Sequence, residues 1–235
     1  MDARPAPDGP RAALPVRDLV KFFGVRCAVA GIDLDVPAGS LFGLVGPNGA
    51  GKTTALSLAT GLLRPDQGRV AVAGHDVWSD PSAAKALMGV LPDGLRTLDR
   101  LSGRELREFV ARMHRLDIAT ARGRFEELLV TLGLAGDADT MVRDHSAGMT
   151  KKIGLAAALV HNPRLLVLDE PFESVDPVSG ETIREILHRR TAGGGTVIMP
   201  SHVMGLVETL CDRVAVTAGG RLLAVGATAD VRAGM

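Results

Sequence analysis

The stretch at residues 46–54 combines the residue types that bind phosphate groups in proteins. It fits the pattern G-x-x-x-x-G-K-[ST], in which glycines let the backbone turn its N–H groups toward an anion. Lys52 is predicted to reach the β- and γ-phosphates of a nucleotide, and Thr53 to offer its hydroxyl to Mg²⁺. The residues predicted to bind the nucleotide here are Gly46, Pro47, Asn48, Gly49, Ala50, Gly51, Lys52, Thr53 and Thr54. The alternative is an ordinary glycine-rich turn before a helix.

The segments on either side of this stretch favour the phosphate-binding interpretation. The apolar run at 41–45 comes before it and is typical of a buried strand. The run at 53–59 comes after it and is typical of a helix, whose positive dipole end would point at the same phosphate. A strand, a glycine-rich loop and a helix in this order are the context that the pattern requires.

Two acidic residues follow another apolar run, at 165–168. This run predicts a parallel strand that is covered on both faces and that ends at Asp169. The carboxyl ends of such strands are where α/β sheets bind ligands, so Asp169 is predicted to hold Mg²⁺. Glu170 comes next and is predicted to polarise a water molecule. The alternative is an acidic strand end that only caps the following turn.

Three shorter stretches carry less information when each is taken alone. Residues 145–149, His-Ser-Ala-Gly-Met, come before a predicted helix at 150–160, where the helix end could bind an anion. Ser146 could equally serve as a plain helix cap. His202 follows a predicted strand at 196–199, and a lone histidine in such a place is usually structural. Asp176 ends the third stretch, Ser-Val-Asp at 174–176.

Together and in this order, these stretches resemble the nucleotide-binding subunit of an ATP-binding cassette (ABC) transporter. The resemblance covers residues 14–227. Residues 145–149 resemble the family's Leu-Ser-Gly-Gly-Gln signature, and residues 174–176 resemble its D-loop. His202 matches the switch histidine, which implies that it senses the γ-phosphate. Phe23 matches the aromatic residue that stacks on adenine, although a core aromatic is the alternative.

The resemblance also implies a fold, cofactors and partners. The expected fold is α/β: a P-loop NTPase RecA-like core with an antiparallel β portion and an inserted helical subdomain. ATP and Mg²⁺ are the expected cofactors, and the chain is expected to pair head to tail with a second copy of itself or with a related ATPase subunit. Each phosphate-binding loop would then face the other chain's signature. The residues implied to complete that nucleotide site are Ser146, Ala147, Gly148, Met149 and Asp176.

The family's partner is an integral membrane permease subunit, which implies a peripheral place on the cytoplasmic face of the membrane. The Ser-x-Gly-Met sequence in the signature is similar to that of export-type systems, so export is favoured. One departure concerns Asp93, which stands where the family usually has a glutamine. Its carboxylate could face Mg²⁺ or the water, so Asp93 is counted among both the catalytic and the metal-binding candidates.

The chain pattern predicts a mobile tail at 1–13 and one domain at 14–235. The core would comprise 14–91 and 161–228, and the helical subdomain about 92–160. In the latter, apolar residues recur at helical spacing in two groups. The first group is Leu106, Phe109, Val110 and Met113. The second is Phe125, Leu128, Leu129 and Leu132.

Composition narrows the function classes. Among 235 residues, Lys and Arg total 27, as do Asp and Glu, so the chain lacks the positive charge of a broad nucleic-acid-binding face. With only 3% aromatic residues, base-stacking platforms are not expected either, and no nucleic-acid partner is predicted. No apolar stretch approaches the roughly 18 residues that a spanning helix needs.

Two other functions are compatible with a phosphate-binding loop in this sequence. The first is a soluble, non-transport ABC ATPase that acts on ribosomes or DNA, a class that usually has two cassettes or a long coiled coil. Here there is one cassette, with about ninety residues between Thr53 and Ser146. The second is a regulatory module that no longer hydrolyses ATP. The presence of Lys52, Asp169, Glu170 and His202 disfavours this second rival.

Overall fold

The computed structural model describes residues 12–92 and 99–233. Its strands are β1 Ala12–Phe23, β2 Arg26–Pro37, β3 Leu41–Val45, β4 Gln67–Val72, β5 His75–Asp76, β6 Met88–Leu91, β7 Leu165–Leu168, β8 Thr196–Ser201, β9 Arg213–Ala218 and β10 Arg221–Ala227. Its helices are α1 Lys52–Ala59, α2 Pro81–Ala86, α3 Gly103–Met113, α4 Ile118–Thr131, α5 Ala147–Leu159, α6 Pro177–Ala192, α7 Met204–Leu210 and α8 Thr228–Ala233. Strand β1 begins before the predicted start at residue 14. The rest of the predicted tail and Asp93 lie outside the described residues.

The strands form two sheets. Within the described residues, the larger sheet has the order β10-β9-β3-β8-β7-β6, parallel throughout except for β10. The smaller sheet has the order β2-β1-β4-β5 and is antiparallel. Because parallel strands share a direction, the loops that follow β3, β7 and β8 leave from the same edge of the larger sheet.

Strand β3 explains why the central strands are apolar throughout. Phe42 and Leu44 pack into a core that the larger sheet shares with α1 and the smaller sheet. Leu41 and Val45 pack on the other face, in a core shared with the helices from α3 onward. Successive side chains of a strand point to opposite faces, so a strand covered on both sides needs apolar residues at every position. The continuous apolar runs in β3 and β7 meet this need, and both predicted strands are confirmed.

Helix α3 is present as predicted, but only part of its predicted apolar face is buried. Leu106 is buried, whereas Phe109 is 44% exposed and Met113 is 68% exposed. Helix α3 packs against α4 and α5, and this contact buries a different side of the helix. The buried positions of α3 are Gly103, Leu106, Arg107 and Ala111. None of the helices in the described residues is both long and apolar enough to cross a membrane.

A pair of histidines joins the ends of α3 and α5. The rings of His114 and His161 stack with their centroids 3.6 Å apart. His161 Nε2 lies 2.8 Å from the carbonyl oxygen of Met88 in β6, and a carbonyl only accepts, so this nitrogen carries the proton. Burial, and then the proximity of His114, lower the pKa of His161 from 6.5 to about 4. Burial also lowers the pKa of His114, so both rings are neutral at neutral pH.

We expect the protein to lose stability as the pH falls from about 6.5 to about 4, and His161→Gln to flatten this dependence. The unfolded chain takes up a proton at His161 near its ordinary pKa, whereas the folded chain stays neutral until about pH 4. Acid therefore favours the unfolded state in this window, by an amount on the order of 1–3 kcal/mol. Urea unfolding at a series of pH values measures the slope.

The matched control for this measurement is His188→Gln, because His188 is exposed on α6. This control should keep the slope of the wild type. Equal slopes in the wild type and His161→Gln would mean that the histidine pair is not the source of acid sensitivity.

Candidate nucleotide-binding site

Two glycines in the loop after β3 lie so close to neighbouring strands that a side chain would not fit. A Cβ on Gly46 would overlap the carbonyl oxygen of Thr217 in β9. Gly51 has φ +98°, a conformation that L side chains rarely adopt, and a Cβ there would overlap the carbonyl of Ala28 in β2. The loop is thus clamped between strands of the two sheets, and α1 begins directly after it at Lys52.

The side chain of Lys52 lies folded over this loop. Its Nζ donates hydrogen bonds to the carbonyl oxygens of Gly46 at 2.7 Å and Pro47 at 3.1 Å. Only 8% of the residue is exposed, which is unusual for a lysine. The protein therefore holds a positive charge at the N-terminal end of α1, where the helix dipole also favours an anion.

A cleft of about 720 Å³ opens beside the loop and collects most of the residues predicted to act on the nucleotide. Phe23 is 52% exposed and lines this cleft, so it is not a core aromatic. Asp169 and Glu170, at the end of β7, line it as well. The loop contributes Asn48, Gly49, Ala50, Gly51, Lys52, Thr53 and Thr54 to the lining. The loop and the acidic pair therefore meet at one edge of the larger sheet.

The strand that carries Phe23 is held by a carboxylate from another part of the chain. Asp66 accepts hydrogen bonds from the backbone N–H of Phe22 at 2.6 Å and from Lys21 Nζ at 3.0 Å. The bond from Phe22, more than that from Lys21, lowers the pKa of Asp66. Asp66 therefore fixes the backbone directly before Phe23, the residue that lines the cleft.

Glu170 has a strained backbone and a fixed carboxylate. Its φ is +45°, in the left-handed region that is uncommon for residues other than glycine. Its Oε1 lies 2.9 Å from Nδ1 of His202, which follows β8. The structure thus joins His202, whose role is implied only by the family resemblance, to Glu170, which the sequence predicts to polarise a water molecule.

Two basic residues near these groups were missed from the sequence. Arg26 lines the cleft, and its Nη2 lies 3.6 Å from the place that a Cβ on Gly49 would take. Lys151 on α5 donates from Nζ to the carbonyl oxygens of Asp169 at 3.2 Å and Glu170 at 3.0 Å. The only sequence signal for Lys151 is that it lies two residues after the signature, and this spacing by itself indicates no contact.

The signature segment lies apart from this chain's own cleft. Its Ser146 caps α5, with Oγ accepting a hydrogen bond from the N–H of Met149 at 3.3 Å. Asp176 caps α6 in the same way and accepts from Ser179 N–H at 2.9 Å. Both residues therefore have the structural role of a helix cap. The predicted residues absent from the described lining of the cleft are Gly46, Pro47, Ser146, Ala147, Gly148, Met149, Asp176 and His202.

Comparison with known proteins gives the family. A family model described as ABC transporter matches residues 29–173, which is more than half of the chain. The chain belongs to the ABC transporter family. The match confirms the predicted fold class and the predicted function of an ATP-hydrolysing subunit of an ABC transporter.

The relatives of this ABC subunit include proteins of resistance and export. The daunorubicin resistance ATP-binding protein DrrA3 of Streptomyces coeruleorubidus is 36% identical over 94% of this chain and 70% of its own length. The Nod factor export ATP-binding protein I of Burkholderia lata is 37% identical over 93% of this chain and 72% of its own length. A solved structure of an ATP-binding subunit of an ABC transporter superposes with a TM-score of 0.89 at 25% identity. That match covers 94% of this chain and 92% of the other.

Proposed function

We propose that the chain powers export through a separate integral membrane permease subunit, acting at the cytoplasmic face of the membrane. The observation that carries this proposal is that the phosphate-binding loop, Asp169 and Glu170 line the same cleft. A phosphate cradle, a metal-binding carboxylate and a second carboxylate beside it are the parts that nucleotide hydrolysis needs. The resistance and export functions of the relatives support export as the direction.

The nucleotide is proposed to lie along the cleft, with adenine on Phe23 and the phosphates on the loop. The exposed ring of Phe23 offers a stacking face, and the backbone N–H groups of 46–54 receive the phosphates. Lys52 neutralises the β- and γ-phosphates from inside the loop. Arg26, on the wall of the cleft beside Gly49, adds a second positive charge.

Thr53 and Asp169 fit a Mg²⁺ ion. They line the same cleft and offer a hydroxyl and a carboxylate oxygen, while a bound nucleotide would supply phosphate oxygens. Mg²⁺ is commonly held by one or two carboxylates together with substrate phosphates and water. When bound there, it would neutralise charge that develops on the phosphates.

Glu170 is proposed to orient the attacking water and accept its proton. Its carboxylate is fixed at 2.9 Å from His202, so it does not have to be ordered during the reaction. The same histidine can register the γ-phosphate, because its ring is 54% exposed while it remains bonded to Glu170. Loss of the γ-phosphate would therefore change the position of His202 and, through it, of the carboxylate that orients the water.

A second copy of the chain is proposed to complete the site. Ser146, Ala147, Gly148 and Met149 open α5 away from their own cleft, at a helix N-terminus suited to a γ-phosphate. In a head-to-tail pair, these residues would cover the nucleotide held by the other chain's loop. Asp176 lies in the adjoining D-loop, so we place it at the same interface.

We expect Glu170→Gln to bind ATP normally but to hydrolyse it roughly 10²–10⁴ times more slowly, because an amide cannot accept the proton. If hydrolysis opens the pair, this variant should accumulate as an ATP-bound dimer while the wild type stays mostly monomeric during turnover. Size-exclusion chromatography with light scattering, with and without Mg-ATP, measures this. Glu185→Gln, an exposed change on α6, is the control and should behave as the wild type.

Two outcomes would contradict these roles. Near-normal hydrolysis by Glu170→Gln would remove Glu170 as the base. An inactive variant that stays monomeric with ATP would count against a dimer formed by the isolated subunit.

The permease is proposed to dock in a groove between the core, 14–91 with 161–228, and a helical subdomain at about 92–160. This docking groove has a volume of about 810 Å³ and runs between α2 and β6 on one side and α3 and α5 on the other. Leu62 and Met113 line it and are 69% and 68% exposed. Exposed apolar side chains of this kind mark a surface that a partner covers.

We expect Met113→Glu to reduce recovery of the chain with a membrane protein from detergent-solubilised membranes by about tenfold or more, because a charge would be buried at the contact. Its ATP hydrolysis in isolation should not change. Val130→Glu is the matched control, since Val130 is 67% exposed on α4 and does not line the groove. Equal recovery of both variants would refute the docking groove, and recovery with ribosomes or DNA alone would favour the non-transport alternative.

A further inference from the structure

The first two turns of α5 contact residues 169–179 of the same chain at three places. This segment begins with Asp169 and Glu170 and runs into the start of α6. Lys151 Nζ reaches the carbonyl oxygens of Asp169 and Glu170 at 3.2 and 3.0 Å. Lys152 Nζ lies 3.2 Å from Ser179 Oγ, at the start of α6. The helix that opens with the signature is therefore bound directly to the segment that carries the hydrolytic carboxylate.

The third contact is a close approach of two backbones. A Cβ on Gly148 would lie 2.8 Å from the carbonyl oxygen of Ser174, so only glycine leaves both backbones undisturbed. Ser174 has φ +61° and Glu170 has φ +45°, which places two uncommon conformations in the segment that α5 touches. Such conformations persist where the surroundings impose them.

Lys151 is the contact best placed to impose the conformation of Glu170. Its ammonium group donates hydrogen bonds to the carbonyl oxygens of Asp169 and Glu170. These carbonyls belong to the two peptide groups that flank the Cα atom of Glu170. The orientation of these two peptide groups sets the φ and ψ of Glu170, and hence the direction of its side chain. His202 fixes the other end, at the carboxylate. The base is thus held at its backbone by α5 and at its side chain by the residue after β8.

We propose that Lys151 is a positioning residue that couples the two nucleotide sites of the dimer. This inference rests on the proposed function, in which the start of α5 contacts the nucleotide bound to the other chain. A γ-phosphate held there would set the position of α5, and Lys151 would pass that position to Glu170 in its own site. Hydrolysis at each site then depends on whether the other is occupied.

The test compares Lys151→Met with Lys151→Arg and Lys152→Met in the whole chain of 235 residues. Lys151→Met should leave the affinity for ATP within about twofold, because the phosphate-binding loop is untouched. It should lower kcat on the order of 10²-fold, the effect of a misplaced catalytic group. The Hill coefficient for ATP should fall from above one to one. Lys151→Arg retains donors for the same carbonyls and should recover most of kcat.

Lys152→Met is the matched control, since it removes the neighbouring bond to Ser179 and leaves the contacts to Glu170. It should keep kcat and the Hill coefficient. An unchanged kcat in Lys151→Met would overturn the inference. A joint loss of ATP affinity, kcat and thermal stability would also overturn it, because Lys151 would then only stabilise the fold.

Different results would refute the proposed function and the coupling between the two sites. A wild-type chain without ATP hydrolysis, or a Glu170→Gln variant with normal hydrolysis, would refute the proposed function. A wild type that hydrolyses ATP with a Hill coefficient of one, or that matches Lys151→Met in kcat, would refute the coupling alone.

Discussion

The parallel alignment of β3, β7 and β8 is the constraint on which the site depends. Because these strands share a direction, the phosphate-binding loop, the acidic pair and His202 all leave from one edge of the larger sheet. These groups are far apart in the sequence, but backbone hydrogen bonds between the strands fix their positions relative to one another. The cores on both faces of the sheet, which include Phe42 on one side and Leu41 on the other, keep that edge rigid.

The strain at Glu170 shows how this rigid edge is used. A left-handed conformation for a residue other than glycine costs on the order of 1 kcal/mol or more and persists only where neighbours impose it. Here the neighbours are Lys151, at the backbone, and His202, at the carboxylate. One comes from α5 and the other from the end of β8, so the direction of the carboxylate reports the relative position of a helix and a strand.

Much of the fold and part of the site could be predicted from the sequence, because their causes are local. Continuous apolar runs predicted β3 and β7, and the glycine-lysine pattern predicted the loop. What failed depends on tertiary packing: Phe109 and Met113 lie on an exposed side of α3 because α4 and α5 cover another. Arg26 and Lys151 were missed for the same reason, since their contacts join segments that are distant in sequence. The roles of the predicted site residues stay predictions.

The central claim is that each nucleotide site is built from two chains, and mixing two inactive variants tests it most directly. Lys52→Ala should disable the loop and Ser146→Arg the signature, so each variant alone should lack ATP hydrolysis. A mixed dimer has one site with an intact loop from one chain and an intact signature from the other. The account predicts that the mixture hydrolyses ATP although neither variant alone does. Random pairing sets a ceiling of roughly a quarter of the wild-type rate, and the coupling through Lys151 keeps the rate below that ceiling because the second site of the mixed dimer is empty. A mixture that forms mixed dimers yet stays inactive would contradict it.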